Sequence, residues 1–280
     1  CHNPASYFGL KQQGAIAPGY KADLVAFRDP HEFSASLVYK AGTLVAKDGY
    51  STSEPTGMPG ATASPPPARD SVNIKWLTKS DFVIPWQSGK ARVIECSPGS
   101  IVTGHGLTEP SQENGVCVSD TARDILRIYV IERHTGSGAI GKGFIRGLGL
   151  KRGAIGSTVS HDSHNMIIAG VDDESIFKAA RRLNAMRGGF VACEGDDVMA
   201  ELALPIAGLM SEAPSETVIA AMEQFARYFR ENEVPGSSPL MSLSFMALPV
   251  IPSLKLCDQG LVDVDQFRIV PLFVEHSGSA

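Results

Sequence analysis

No stretch of this 280-residue chain approaches the roughly 18 consecutive apolar residues that a membrane-crossing helix needs, so no membrane span is expected. Positive charge is not in excess either. With 25 Lys and Arg against 30 Asp and Glu, the formal net charge is −5, which argues against a general nucleic-acid-binding face. Cysteine is sparse: Cys1, Cys96, Cys117, Cys193 and Cys257 are odd in number and never form a C-x-x-C pair. They read as reduced thiols of a cytoplasmic protein, not as a disulfide framework or a zinc knot. G-x-S-x-G, H-x-H and H-E-x-x-H are missing, which removes the nucleophile-elbow hydrolases and leaves no ready-made metal framework. What is there, 43% hydrophobic and 20% charged residues, is the composition of a globular protein with room for one large domain or two ordinary ones.

Along the chain, Pro18-Gly19 and Asp48-Gly49 are turn signals. Between them, Ala22–Phe27 and Leu37–Ala46 read as short strands with a Gly-Thr turn. Residues 51–70 (STSEPTGMPGATASPPPARD) are rich in Pro, Ser, Thr and Gly and form the clearest linker. The expected division is therefore 1–50, a linker over 51–72, and 73–276. In the larger part, Ala91–Cys96 and Ile125–Glu132 read as strands. Asp172–Arg187 reads as a helix capped by Asp172 or Asp173, with Ile176, Ala179, Ala180, Leu183 and Arg187 on one face and Gly188-Gly189 at its end. A second helix, Ser215–Arg230, carries the stripe Val218, Ala221, Met222, Phe225 and Phe229, whose Met and Phe members are expected in the core. Pro249, Pro252 and the run 240–256 suggest extended, buried chain. The expected fold class is α+β (mixed α/β).

Gly136–Gly141 matches G-x-G-x-x-G, and Gly136–Lys142 matches the opening of a P-loop, but the next residue is Gly143 where Ser or Thr should hold magnesium. Closely packed or flexible glycines account for the run better than a nucleotide site does. Gly156–Asn165 (GSTVSHDSHN) is more informative. Apolar residues flank it, yet His161, Asp162, Ser163, His164 and Asn165 follow one another without a break. Each polar group buried without a partner costs about 1–3 kcal/mol, so such a cluster belongs at a pocket, an interface or a fully bonded strand end. As a strand it would put His161, Ser163 and Asn165 on one face; as a turn it would bring the two histidines together. Two imidazoles and one carboxylate fall short of a metal site. Glu132-Arg133-His134 ends the preceding strand and could form a second polar wall facing the same mouth, or a solvated strand end. His105 sits in a glycine turn, and His2, His31 and His276 carry no signal.

Two sets of residues go beyond spacing. Asn3-Pro4-Ala5, Phe8-Gly9-Leu10 and Gly14–Val25 (GAIAPGYKADLV) resemble the segment that follows the barrel in the amidohydrolase superfamily, where the chain completes a small β-sandwich. Glu132–Gly138 (ERHTGSG), Gly156–Asn165, Leu204–Ser211 (LPIAGLMS) and Phe245–Val264 resemble the C-terminal domain of the bacterial adenine deaminase family. The likeness runs over nearly all of residues 1–276. It implies a C-terminal remnant of the composite β-sandwich followed by an α/β C-terminal domain.

The resemblance also implies a reaction, hydrolysis of adenine to hypoxanthine and ammonia. In the family a divalent metal pair, manganese or iron, activates the water that attacks C6. The family's metal ligands lie on barrel strands that have no counterpart here, and Cys1 opens in mid-segment, so the sequence reads as the C-terminal portion of something longer. Alone it is expected to bind no metal and to be inactive, its partners being the barrel and the purine. Under this resemblance His161, Asp162, Ser163, His164 and Asn165, helped by Glu132 and His134, face the barrel mouth, recognise purine edges or close the site against water. A structural or oligomerisation module and a stand-alone purine-binding domain stay open, as does a homo-oligomer.

Overall fold

In the computed structural model, which describes residues 1–29, 31–52, 68–236 and 238–274, the chain divides into two compact units, Cys1–Pro65 and Pro66–Ala280. Most of the proline-rich stretch read as a linker lies outside the described residues. The first unit starts with helix α1 (His2–Tyr7) and continues as an antiparallel meander of β1 (Leu24–Phe27), β2 (Ala35–Lys40), β3 (Thr43–Lys47) and β4 (Tyr50–Ser51). The two strands read from the sequence are present, and the turn at Ala41-Gly42 separates β2 from β3. Ala5 is the only buried hydrophobic residue among those described in this unit, while Ile16, Val25, Phe27 and Phe33 are exposed. A sheet this bare contributes little burial on its own.

The second unit is built on a sheet whose strands are, in chain order, β5 (Ala91–Glu95), β6 (Gly104–Thr108), β9 (Ile125–Ile131), β10 (Ile140–Arg146), β11 (Ala154–Ser157), β12 (Met166–Gly170), β13 (Gly189–Glu194) and β14 (Asp197–Ala203); the short pair β7 (Gln112–Glu113) and β8 (Val116–Cys117) stands apart. Its spatial order is β14-β13-β11-β12-β9-β10-β5-β6, antiparallel throughout except for β5 beside β10. Every residue of β9 is buried, as a strand covered on both faces must be. Leu126, Ile128 and Val130 enter one core; Ile125, Tyr129 and Ile131 enter the other. The first face is covered by helices α3 (Ser215–Glu231) and α4 (Pro239–Phe245) and by a small sheet of β15 (Leu254–Cys257), β16 (Gly260–Asp263) and β17 (Arg268–Val270). Helix α2 (Asp173–Ala185) and the 3-10 turn Lys79–Phe82 cover the second. Helices on a mixed sheet bear out the α+β class.

Asp172 is the cap of α2: its carboxylate accepts from Ser175 N and Oγ, both at 2.8 Å. Asp172→Ala is expected to lower the unfolding free energy by about 1 kcal/mol, the usual worth of such a cap, as a drop in urea midpoint would show. Three expectations need correction. Arg187 does not extend the buried stripe of α2; it lies past the helix end with φ +60° and pairs with Asp70 at 3.0 Å. Met222 is 40% exposed, because α3 centres its apolar face on Phe225, Tyr228 and Phe229. The run 240–256 is not extended throughout, since Pro239 takes the first helical position of α4, where its missing N–H is harmless, and Leu240 and Leu243 bury one side.

The register fixes where the polar segments meet. Met166 pairs with Ile131 across β12 and β9. The chain therefore leaves β9 at Glu132 beside the point where it enters β12 from Asn165.

Candidate functional site

Residues His161–Ser163 form a turn, so the second of the two sequence geometries holds: the His161 and His164 ring centroids lie 5.3 Å apart. His164 adopts φ +53°, a left-handed backbone that costs a residue with a β-carbon about 1 kcal/mol. Two bonds to Ser160 hold it there. The His164 N–H donates to Ser160 O (2.7 Å), and Ser160 N–H donates to His164 Nδ1 (3.2 Å). With Nδ1 accepting, the neutral ring carries its proton on Nε2. Burial, then the nearby His161 and Arg133, push the His164 pKa below the ordinary histidine value, with Asp162 opposing. A neutral, donor-bearing imidazole follows. His161 stacks on Phe245 of α4, with centroids 5.0 Å apart and planes 21° apart. Asp162 and Ser163 are exposed, and Asn165 is buried.

Glu132 is not a free acid. Its carboxylate accepts from His134 N (2.5 Å), Thr135 N and Oγ1 (2.8 Å each) and Ser137 N and Oγ (3.1 Å each). Burial works against its ionisation, but these donors prevail and hold the pKa at about 2. The loop they shape carries His134, whose exposed ring donates from Nε2 to Ser163 O at 2.8 Å. The polar wall read at the end of β9 is thus in contact with the His161 turn.

Other segments close on the same place. Asn165 Oδ1 accepts from Arg133 N (3.3 Å), while its Nδ2 donates to Asp258 (3.2 Å). The Arg133 guanidinium donates to His164 O, to Ser71 O (3.4 Å) and to Ala207 O (3.0 Å). Thr158 Oγ1 donates to Gly208 O at 2.7 Å. The Ser160 hydroxyl, fully buried, has no hydrogen-bond partner among the described residues. Ala207, Phe245 and Asp258 escaped the sequence reading as individual site residues, and Arg133 was read only as one of three polar residues at a strand end. Their motifs carried the signal, but nothing in a linear chain says that residues a hundred positions apart touch.

Among the described residues no group of three or more His, Cys, Asp and Glu side chains could hold a metal ion. The site as it stands does not fit a divalent metal: His161 and His164 lack a third donor. No helix among the described residues is long and apolar enough to cross a membrane. The glycine run resolves against a nucleotide loop, since strand β10 follows it where a phosphate-binding helix would be needed.

Comparison with known proteins bears on the family. A family model described as the adenine deaminase C-terminal domain matches residues 100–268. Adenine deaminase of Desulfatibacillum aliphaticivorans is 44% identical over 272 residues, covering 97% of this chain and 47% of that protein. Adenine deaminase of Methanothrix thermoacetophila is 43% identical over 276 residues, 98% and 47% respectively. Adenine deaminase 2 of Carboxydothermus hydrogenoformans is 43% identical over 271 residues, 96% and 47%. The chain spans about half the length of the curated relatives it matches. With residues 100–268 of its second unit matched by that model and 97% of the chain aligned to a relative at 44% identity, the chain belongs to the adenine deaminase C-terminal domain family.

Proposed function

We propose that this chain is the C-terminal part of an adenine deaminase, a cytoplasmic enzyme of purine metabolism, and that the His161–Asn165 turn is its contribution to the substrate site. One observation carries the reading. ERHTGSG, GSTVSHDSHN, LPIAGLMS and the segment from Phe245 meet at a single turn, through Arg133, His134, Ala207, Phe245 and Asp258. A neutral His164 with a donor on Nε2, beside the His161 ring, suits the mixed donor and acceptor edge of adenine. Asp162 and Ser163 are both exposed, which supports a role in meeting a partner outside the unit. Glu132 serves the wall by holding the loop that carries His134.

The manganese or iron that the family resemblance implies would be bound by residues outside this chain, on the barrel strands of the half that the relatives carry. Residues 1–50 would belong with the sandwich next to that barrel, and 73–276 would form the C-terminal domain. The rival reading, a purely structural network, draws on the full set of partners that Glu132 and Asn165 already have. Substitution separates the two. In a protein that joins this sequence to that N-terminal half, His164→Ala and Asp162→Ala are each expected to lower kcat/KM for adenine about tenfold or more, the scale of one lost recognition hydrogen bond, with metal content unchanged. Steady-state kinetics alongside metal analysis would check this. Parent kinetics in both variants would overturn the assignment.

A further inference from the structure

Arg133 is the largest of the fully buried side chains, 1% exposed, and every hydrogen bond its guanidinium makes among the described residues ends on a main-chain carbonyl. A buried cation without a carboxylate partner is costly, and burial does depress its pKa. The three carbonyls come from three separate segments: Ser71, His164 of the turn, and Ala207 of the LPIAGLMS loop. Main-chain N–H and C=O groups of the same residue add two more ties, from Arg133 N to Asn165 Oδ1 (3.3 Å) and from Asn73 N to Arg133 O (2.7 Å). Gly208 packs directly on the guanidinium, where a Cβ would stand 2.8 Å from Nη1. A planar fork with fixed donor directions can hold three carbonyls at set angles. A lysine ammonium, whose donors rotate about a single nitrogen, cannot do so.

We propose that Arg133 is a positioning residue that clamps the His161–Asn165 turn against the Ala207 loop and the Ser71 segment, and so sets where the His161 and His164 rings are presented. The proposal deepens the reading of that turn as a recognition wall and rests on it for its functional meaning. The clamp itself can be tested independently.

The test uses Arg133→Lys, Arg133→Met and Gly208→Ala in the full chain, with histidine ring resonances followed by NMR through a pH titration and adenine titrated by calorimetry. The groups facing His164 are His161, Arg133, Asp162 and His134. Arg133→Lys keeps the charge and is the variant expected to fold. Its His161 and His164 resonances should shift while the His164 midpoint stays near that of the parent. Arg133→Met should also raise that midpoint, because a neighbouring positive charge is gone. Gly208→Ala, which pushes the guanidinium without altering either histidine, should shift the same resonances. If the parent chain binds adenine, its affinity should fall about tenfold in Arg133→Lys. If the parent binds none, it is the recognition reading that loses support, and the resonances still decide the clamp. Folded Arg133→Lys and Gly208→Ala with parental His161 and His164 resonances would overturn the proposal.

Discussion

Gly141→Ala is expected to abolish cooperative folding of the second unit, or to cost on the order of 4 kcal/mol or more where a transition survives. Gly141 lies on β10 where the β15–β16 hairpin crosses, and a Cβ built there would stand 1.8 Å from the Cys257 carbonyl oxygen and 3.3 Å from Gly260 N. Both neighbours are backbone. Relief therefore means moving a hairpin whose Leu254, Leu256 and Leu261 are buried in the core beneath it, and no rotamer change can help. Gly143 is the control, two residues along the same strand and on the same face. There a Cβ would meet only side chains, the nearest being Leu261 Cδ2 at 3.3 Å, which can yield by a few tenths of an ångström. Gly143→Ala should stay within about 1 kcal/mol of the parent. Urea unfolding followed by tryptophan fluorescence and far-ultraviolet dichroism would measure both. Equal, mild costs in the two variants would show that the hairpin does not press on β10 as described.

That glycine pair shows what the sequence could and could not reveal. The failed P-loop match at Gly143 was enough to turn the reading toward packed glycines, because nucleotide chemistry has a local requirement. What packs on them could not be seen, since Cys257 is more than a hundred residues away. The same division holds elsewhere. A cap at Asp172 or Asp173, of which Asp172 is the one used, the Ile176–Leu183 stripe and the strand read as Ile125–Glu132, which runs Ile125–Ile131, were legible because capping, a 3.6-residue period and continuous burial are local properties. Met222 was misassigned because the apolar stripe of α3 is wider than the face that its neighbours cover. Helix α4 was missed because a segment with prolines at 239, 249 and 252 reads as extended unless Pro239 is known to sit at a helix start. At the site, the polar cluster His161–Asn165 stood out by composition, and the contact between it and the Glu132 loop followed from pairing β9 with β12. The role of Glu132 did not. Read as part of a polar wall or a solvated strand end, Glu132 instead holds its own loop, its oxygens taken up by five local donors.

Lys255 should make the second unit less stable at neutral pH than at pH 10, and Lys255→Met should remove that dependence. Its side chain is fully buried, and among the described residues its ammonium has one hydrogen bond, to Ile101 O at 2.8 Å. Burial pulls its pKa from 10.5 to about 8, with a small opposing effect from Cys96. The sign follows from proton counts. Below pH 8 the folded and unfolded chains both carry the proton, and folding bears the full cost of burying the charge, on the order of 3 kcal/mol for this displacement. Between pH 8 and 10.5 the folded chain releases its proton first, the unfolded chain binds more, and the unfolding free energy rises with pH. Above 10.5 nothing further is gained. Met fills nearly the same volume without charge, so Lys255→Met should be more stable than the parent by about 1–2 kcal/mol at pH 7, once the loss of the bond to Ile101 O is counted. That advantage should fall by about 3 kcal/mol between pH 8 and 10.5, so that the parent ends as the more stable of the two. Buried thiols at Cys96, Cys117 and Cys193, whose pKa values burial raises, act in the opposite direction above pH 9. They are present in both proteins and largely cancel in the difference. Urea midpoints for parent and variant at pH 7, 8, 9 and 10 would give that difference directly; a gap that stays constant across the series would mean that Lys255 keeps its proton in the folded chain as readily as in the unfolded one.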